Sequence, residues 1–125
     1  MILDTNALSA LAARDPALIG RIGRAPRLCV TLITLGEYHF GIRDSAFRRD
    51  LEKWLDAFLG GAEVLSPNLQ TLPFYADVRM ELKKAGTPIP ANDVWIAALA
   101  RQHGMPILSR DRHFDKVRGI ARQDW

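Results

Sequence analysis

Residues 90–111 read PANDVWIAALARQHGMPILSRD, and the order of residue types in this stretch decides the fold class. Capping types stand at its start, an alanine-rich apolar body follows, and Gly104 closes it, which predicts a helix. His103 suits the last turn of that helix, where a partial negative charge gathers. Residues 106–111, PILSRD, then give a short apolar strand that runs out onto Asp111. A helix feeding a short apolar strand that ends on an acid is a pattern to look for elsewhere in the chain.

It recurs on the way back to the N-terminus. Residues 1–3, MIL, read as a short buried strand ending on Asp4, and residues 5–15, TNALSALAARD, read as a helix capped by Thr5 or Asn6. Asp15-Pro16 opens a second helix, with proline at its first position. LCVTLI, residues 28–33, is a β-branched apolar run and hence a second strand, after which TLGEYHFGI turns helical. Leu51, Trp54, Leu55, Phe58 and Leu59 recur at helical spacing until Gly60-Gly61 stop them. AEVL, residues 62–65, is a third strand. Residues 66–86 carry Leu69, Leu72, Val78 and Leu82 on a helix broken or delayed by Pro73. RGIAR, residues 118–122, offers a fifth strand. The alternation predicts an α/β fold, a parallel sheet with helices on both faces. Such short apolar strands suit a sheet buried from both sides.

The chain has 125 residues, 48% hydrophobic and 25% charged, as expected of one ordinary globular domain over 1–125. No apolar run approaches the ~20 residues of a membrane span. No basic stretch precedes an apolar one at the N-terminus, so no secretory signal is read there. Cys29 is the single cysteine, which excludes a disulfide framework within the chain and fits a cytoplasmic protein with a reduced core thiol. The net charge of +3 is carried largely by arginine, a residue suited to phosphate but equally at home on a solvated surface.

Four acids take related positions. Asp4 follows the first strand, Glu37 the second, Asp111 the fourth, and Asp93 opens the long helix. Loops leaving the carboxyl ends of parallel strands share one edge, so acids distant in sequence can meet there. Each has a structural reading as well. Thr34 and Glu37 fit a capping box, Asp93 can serve its helix dipole, Asp4 its own turn, and Asp111 can be a loop acid. Those readings leave the repetition at strand exits unexplained. Gathered carboxylates repel unless protons or a cation neutralise them, and such oxygen ligands suit Mg²⁺ or Mn²⁺.

MILDTNALS, TLITLGEYHFGI, PANDVWIAALA and ILSRDRHFDKV together resemble the successive motifs of the PIN-domain family, and among them the VapC-type toxins of toxin–antitoxin pairs. The resemblance covers nearly the whole chain. It implies a PIN-like three-layer α/β/α sandwich with about five parallel strands, commonly dimeric, and a Mg²⁺- or Mn²⁺-dependent endoribonuclease. It places Asp4 and Asp93 as principal metal ligands, with Glu37 and Asp111 completing the site partly through water. The family often has asparagine at the position of Asp111. Asn6, Ser109 and Thr5 would orient the acids. Arg110, Arg112 and Lys116 flank Asp111 and would hold the RNA backbone.

His113 is read as packing against Phe114, Asp115 as a solvated acid, and Trp95 as core or dimer contact. The resemblance also implies a small VapB-type antitoxin, which would tie the complex to DNA and inhibit the enzyme with a basic tail. Trp54, Leu55, Phe58 and Leu59 offer it an apolar face, and an arginine of the tail would compete with metal for Asp4 and Asp93. Two other readings stand beside this one. A phosphatase could use Asp4 as nucleophile, although Asn6 stands where such enzymes want a second aspartate. A non-catalytic RNA- or protein-binding module could keep the fold, although the acidic set is complete.

Overall fold

The computed structural model describes residues 1–25 and 27–125. Five short strands, β1 (Ile2–Leu3), β2 (Cys29–Thr31), β3 (Glu63–Leu65), β4 (Ile107–Leu108) and β5 (Arg122–Gln123), form one sheet in the order β3-β2-β1-β4-β5. All four pairings are parallel, with Ile2 opposite Cys29 on one side and Ile107 on the other. The chain walks outward from β1 to β3, then crosses back to place β4 on the far side of β1. The direction of winding therefore reverses between β1 and β4, and a crevice opens beyond their carboxyl ends.

Alternation along the strands divides the core in two. Ile2, Cys29 and Ile107 face α5 (Thr71–Lys84) and α6 (Ala91–His103), where Val78, Leu82, Ile96, Ala97 and Ala100 are buried. Leu3, Val30 and Leu108 face the other layer, made by α1 (Thr5–Ala12), α2 (Pro16–Ile22), α3 (Leu32–Gly41) and α4 (Arg48–Leu59). This is the expected three-layer sandwich. Cys29 is a free, buried thiol in its centre. Among the described residues, no helix is long and apolar enough to cross a membrane.

Several boundaries differ from the expectation: α1 stops at Ala12, β4 is only Ile107–Leu108, and α5 begins at Thr71. The second strand stops at Thr31, because Thr31 Oγ1 accepts the Thr34 backbone N–H at 3.0 Å and caps α3. Leu32 and Ile33 thus belong to the helix, and Leu32 is exposed. Neither Thr5 nor Asn6 caps α1; both lie inside it, and Asp4 holds the cap position without a side-chain cap bond. Pro73 neither breaks nor delays α5. It sits in the first turn, whose N–H groups have no intrahelical acceptor to lose. The fifth strand is Arg122–Gln123, just after the apolar RGIA, because Ile107 N–H pairs with the Ala121 carbonyl and Ser109 N–H with that of Gln123.

Candidate active site

Asp4 and Ser109 leave the adjacent strands β1 and β4 side by side, and both are buried. The Ser109 hydroxyl donates to Asp4 Oδ2 at 2.8 Å and accepts the Asp111 backbone N–H at 2.9 Å. Asn6, one residue into the first turn of α1, donates through Nδ2 to both Asp4 Oδ2 and Ser109 Oγ at 3.2 Å. Its Oδ1 accepts the Arg110 N–H at 3.1 Å. One small network thus fixes the carboxylate after β1 and the loop after β4.

Asp111 caps a short 3-10 turn, Arg112–Lys116, accepting the His113 backbone N–H at 2.9 Å. That turn aims the His113 ring at the start of α6. His113 Nδ1 lies 3.0 Å from Asp93 Oδ2 and 3.1 Å from Asp111 Oδ1. The expected packing of His113 on Phe114 is replaced by this bridge; Phe114 itself points into the core. Asp93, in the first turn of α6, is 9% exposed. Glu37 projects from the second turn of α3. The capping-box reading does not hold, because Thr31 rather than Thr34 is the cap. Glu37 Oε1 and Thr5 Oγ1 are both buried with no hydrogen-bond partner of standard geometry.

The electrostatics bind the acids into one group. Burial raises the pKa of Asp4 above the ordinary carboxylate value; Asp93 and Asp111 add to this, against hydrogen bonds from the Thr5 backbone and Ser109. Burial raises Glu37 too, with Asp4, Asp93 and Asp111 repelling it and the nearby Thr5 hydroxyl partly offsetting them. Asp93 is raised by burial and Asp111, against His113. Three acids with raised pKa values, each repelled by Asp111 and all raised mainly by burial, hold negative charge poorly on their own.

The donors fit a hard divalent cation. Among the described residues, the close group is Asp93, Asp111 and His113, two carboxylates and one imidazole within 4.8 Å of one another. Asp4 and Glu37 stand outside that group and act on it by charge, and the buried Glu37 Oε1 is an acceptor still wanting a partner. The flanking cations are placed less uniformly than expected. Arg110 stacks on Trp125, 4.3 Å from the ring centroid, and donates to the Trp125 carbonyl at 3.0 Å. Arg112 is exposed. Lys116 instead lines a concavity with Glu81, Lys84 and Arg118, on the α5 side of the turn.

Arg122 was not anticipated. Its guanidinium forks onto Asp115 at 2.7 and 3.2 Å and donates to the Ser109 carbonyl at 2.9 Å, tying β5 to the loop that carries Asp111. Asp115 is therefore paired rather than merely solvated. The Asp111-x-His113 spacing was the one available signal for His113. Nothing local marked Arg122, whose role depends on β5 lying beside β4.

The PIN domain family profile matches residues 1–120. Ribonuclease VapC2 of Haemophilus influenzae is 28% identical, over 99% of this chain and 96% of its own length. The tRNA(fMet)-specific endonuclease VapC of Salmonella typhimurium is 33% identical, over 79% of this chain and 76% of its own length. Among solved structures, DNA-bound VapBC of Salmonella typhimurium superposes with a TM-score of 0.88 at 28% identity, covering 99% of this chain and 96% of that one.

Proposed function

This chain belongs to the PIN domain family, and on that premise we propose that it is a Mg²⁺- or Mn²⁺-dependent endoribonuclease, the toxin of a VapBC-type pair. The observation that supports the reading is the close group of Asp93, Asp111 and His113, with Asp4 and Glu37 near enough for Asp93 and Asp111 to raise their pKa values. A binding module gains nothing from such stored repulsion, whereas a cation converts it into affinity. The ribonuclease names of the relatives support the same assignment.

Asp4 and Asp93 would hold the cation, with Glu37 and Asp111 completing its surroundings. When bound, the cation polarises a phosphoryl oxygen and favours ionisation of water. Glu37 or Asp93 would orient the attacking water and take its proton as the new phosphorus–oxygen bond forms; the bond to the 3′ oxygen breaks, that oxygen takes a proton from solvent, and a 5′-phosphate end is left. Asn6 and Ser109 would keep Asp4 aimed through their two hydrogen bonds, the Ser109 bond also opposing the upward push of burial on its pKa. Thr5 lies near Glu37, and its hydroxyl partly offsets the rise in the Glu37 pKa. Arg112, and Arg110 once released from Trp125, would meet backbone phosphates next to an otherwise repulsive pocket. Lys116 would act further out, on the α5 flank.

The partner is an antitoxin of VapB type, through which the pair reaches DNA, as the DNA-bound Salmonella complex does. Trp54 stacks on Phe58 at 5.4 Å on a half-buried ridge of α4, leaving apolar surface for the antitoxin segment. An arginine of its tail would occupy the acidic crevice in place of the cation. Leu72 in α5 and Leu69 just before it are exposed on the opposite layer and suit contact with a second copy of the chain.

The test is cleavage of end-labelled RNA by the purified protein, with Mn²⁺, Mg²⁺ or EDTA, before and after adding the antitoxin. Internal cuts with 5′-phosphate ends that need the cation and stop with the antitoxin support the proposal. Metal-dependent release of phosphate from a monoester without internal cuts would favour the phosphatase reading. RNA binding without any cleavage would favour the module.

A further inference from the structure

Resting on the ribonuclease reading, we propose that His113 is a nitrogen ligand of the cation site and tilts its preference from Mg²⁺ toward Mn²⁺. His113 Nδ1, Asp93 Oδ2 and Asp111 Oδ1 lie within 4.8 Å of one another, close enough to share one ion. The ring is set there by its backbone. The His113 N–H is held by Asp111, and the next residue, Phe114, is anchored in the core. The two carboxylate oxygens are almost equidistant from Nδ1, at 3.0 and 3.1 Å. A single N–H on Nδ1 can point at one of them only. With the proton on Nε2 instead, Nδ1 and the two carboxylate oxygens are three acceptor atoms from three side chains, close enough to share one ion. Nε2 can release its own hydrogen bond to water, since the side chain is 42% exposed.

The consequence for selectivity follows from ligand chemistry. Mg²⁺ prefers oxygen donors and gives up its water reluctantly, whereas first-row transition ions accept imidazole readily. A site of carboxylates alone discriminates weakly between Mg²⁺ and Mn²⁺. One imidazole added to it favours Mn²⁺.

The competing role for His113 is to orient Asp93 and Asp111 by hydrogen bonding. The two roles separate in the metal preference and in a spectroscopic signature. The full chain is stripped of metal, loaded with Mn²⁺ and measured by pulsed electron paramagnetic resonance, unlabelled and with ¹⁵N-histidine. Directly bound imidazole nitrogen in the wild type, absent in His113→Gln, is the expected result. Calorimetry on the same proteins should show Mn²⁺ affinity falling by roughly tenfold or more in His113→Gln, with Mg²⁺ affinity little changed. No histidine nitrogen coupling in Mn²⁺-loaded wild type overturns the proposal, and that result does not depend on the variant folding. An equal fall for both ions also overturns it and assigns His113 to orientation. Mn²⁺ affinity left unchanged by Asp4→Asn and Asp93→Asn would mean that the acids do not form the site, and the ribonuclease reading would fall with the ligand.

Discussion

Ser109→Ala is the most informative perturbation of the network that positions the acids. The hydroxyl is fully buried and makes three bonds, to Asp4 Oδ2, from the Asp111 N–H and from Asn6 Nδ2. Removing it leaves Asp4 with Asn6 and the Thr5 backbone and strips the Asp111 N–H of its acceptor. Asn6 Nδ2 keeps Asp4. One lost partner on a part-buried backbone donor and one on a buried carboxylate together cost about 2 kcal/mol. For a domain of this size that lowers Tm by roughly 8 °C. The Ser109 bond also pulls the Asp4 pKa down. Its loss moves that pKa further up, so the acid limb of the cleavage profile should shift to higher pH. With the Asp111 turn loosened, cleavage should fall by roughly 10- to 100-fold. Thermal melts and a pH series of single-turnover RNA cleavage check both halves. A variant with unchanged Tm, unchanged rate and an unmoved acid limb would refute the claim that Ser109 positions the site.

Asp4, Glu37 and Asp93 have folded-state pKa values above their ordinary ones. Their contribution to stability is therefore full below the ordinary carboxylate range and is lost as pH rises through the folded values. In EDTA, Asp4→Asn should gain stability relative to wild type as pH rises above about 4, followed by urea melts. A cation at 100 times its Kd should restore about 2.7 kcal/mol to wild type and much less to Asp4→Asn, read as a shift in urea midpoint. Arg122→Lys keeps the charge but loses the fork onto Asp115 and the Ser109 carbonyl, so cleavage should drop without rescue, measured on the same RNA. Gly104 ends α6 with φ 62°, so Gly104→Ala should cost about 1 kcal/mol in urea melts with metal affinity unchanged.

The acids were legible because their positions depend on chain order. Asp4, Glu37, Asp93 and Asp111 each follow a strand or open a helix, and parallel topology carries those points to one edge. The strand limits were not legible, because two- and three-residue strands show too little periodicity to bound. Thr31 and Thr34 are both capping types, and only the bond from Thr34 N–H to Thr31 Oγ1 decides between them. That choice also released Glu37 from its structural reading. His113 was misread because its neighbour Phe114 suggested packing, while the ring's actual partners include Asp93, twenty positions away. Arg122 was missed for the same kind of reason. Its partners are set by β5 lying beside β4, and a surface arginine and a clamping arginine look alike in sequence.

The central claim is that Asp93 and its companion acids hold the cation that cuts RNA. Single-turnover cleavage of one RNA by folded wild-type and Asp93→Asn proteins, in saturating Mn²⁺, tests it most directly. The substitution keeps the size of the side chain and removes one charge. Cleavage by wild type, lost in EDTA and abolished in Asp93→Asn with the melting curve preserved, is the predicted result; cleavage by Asp93→Asn at a near wild-type rate would contradict it.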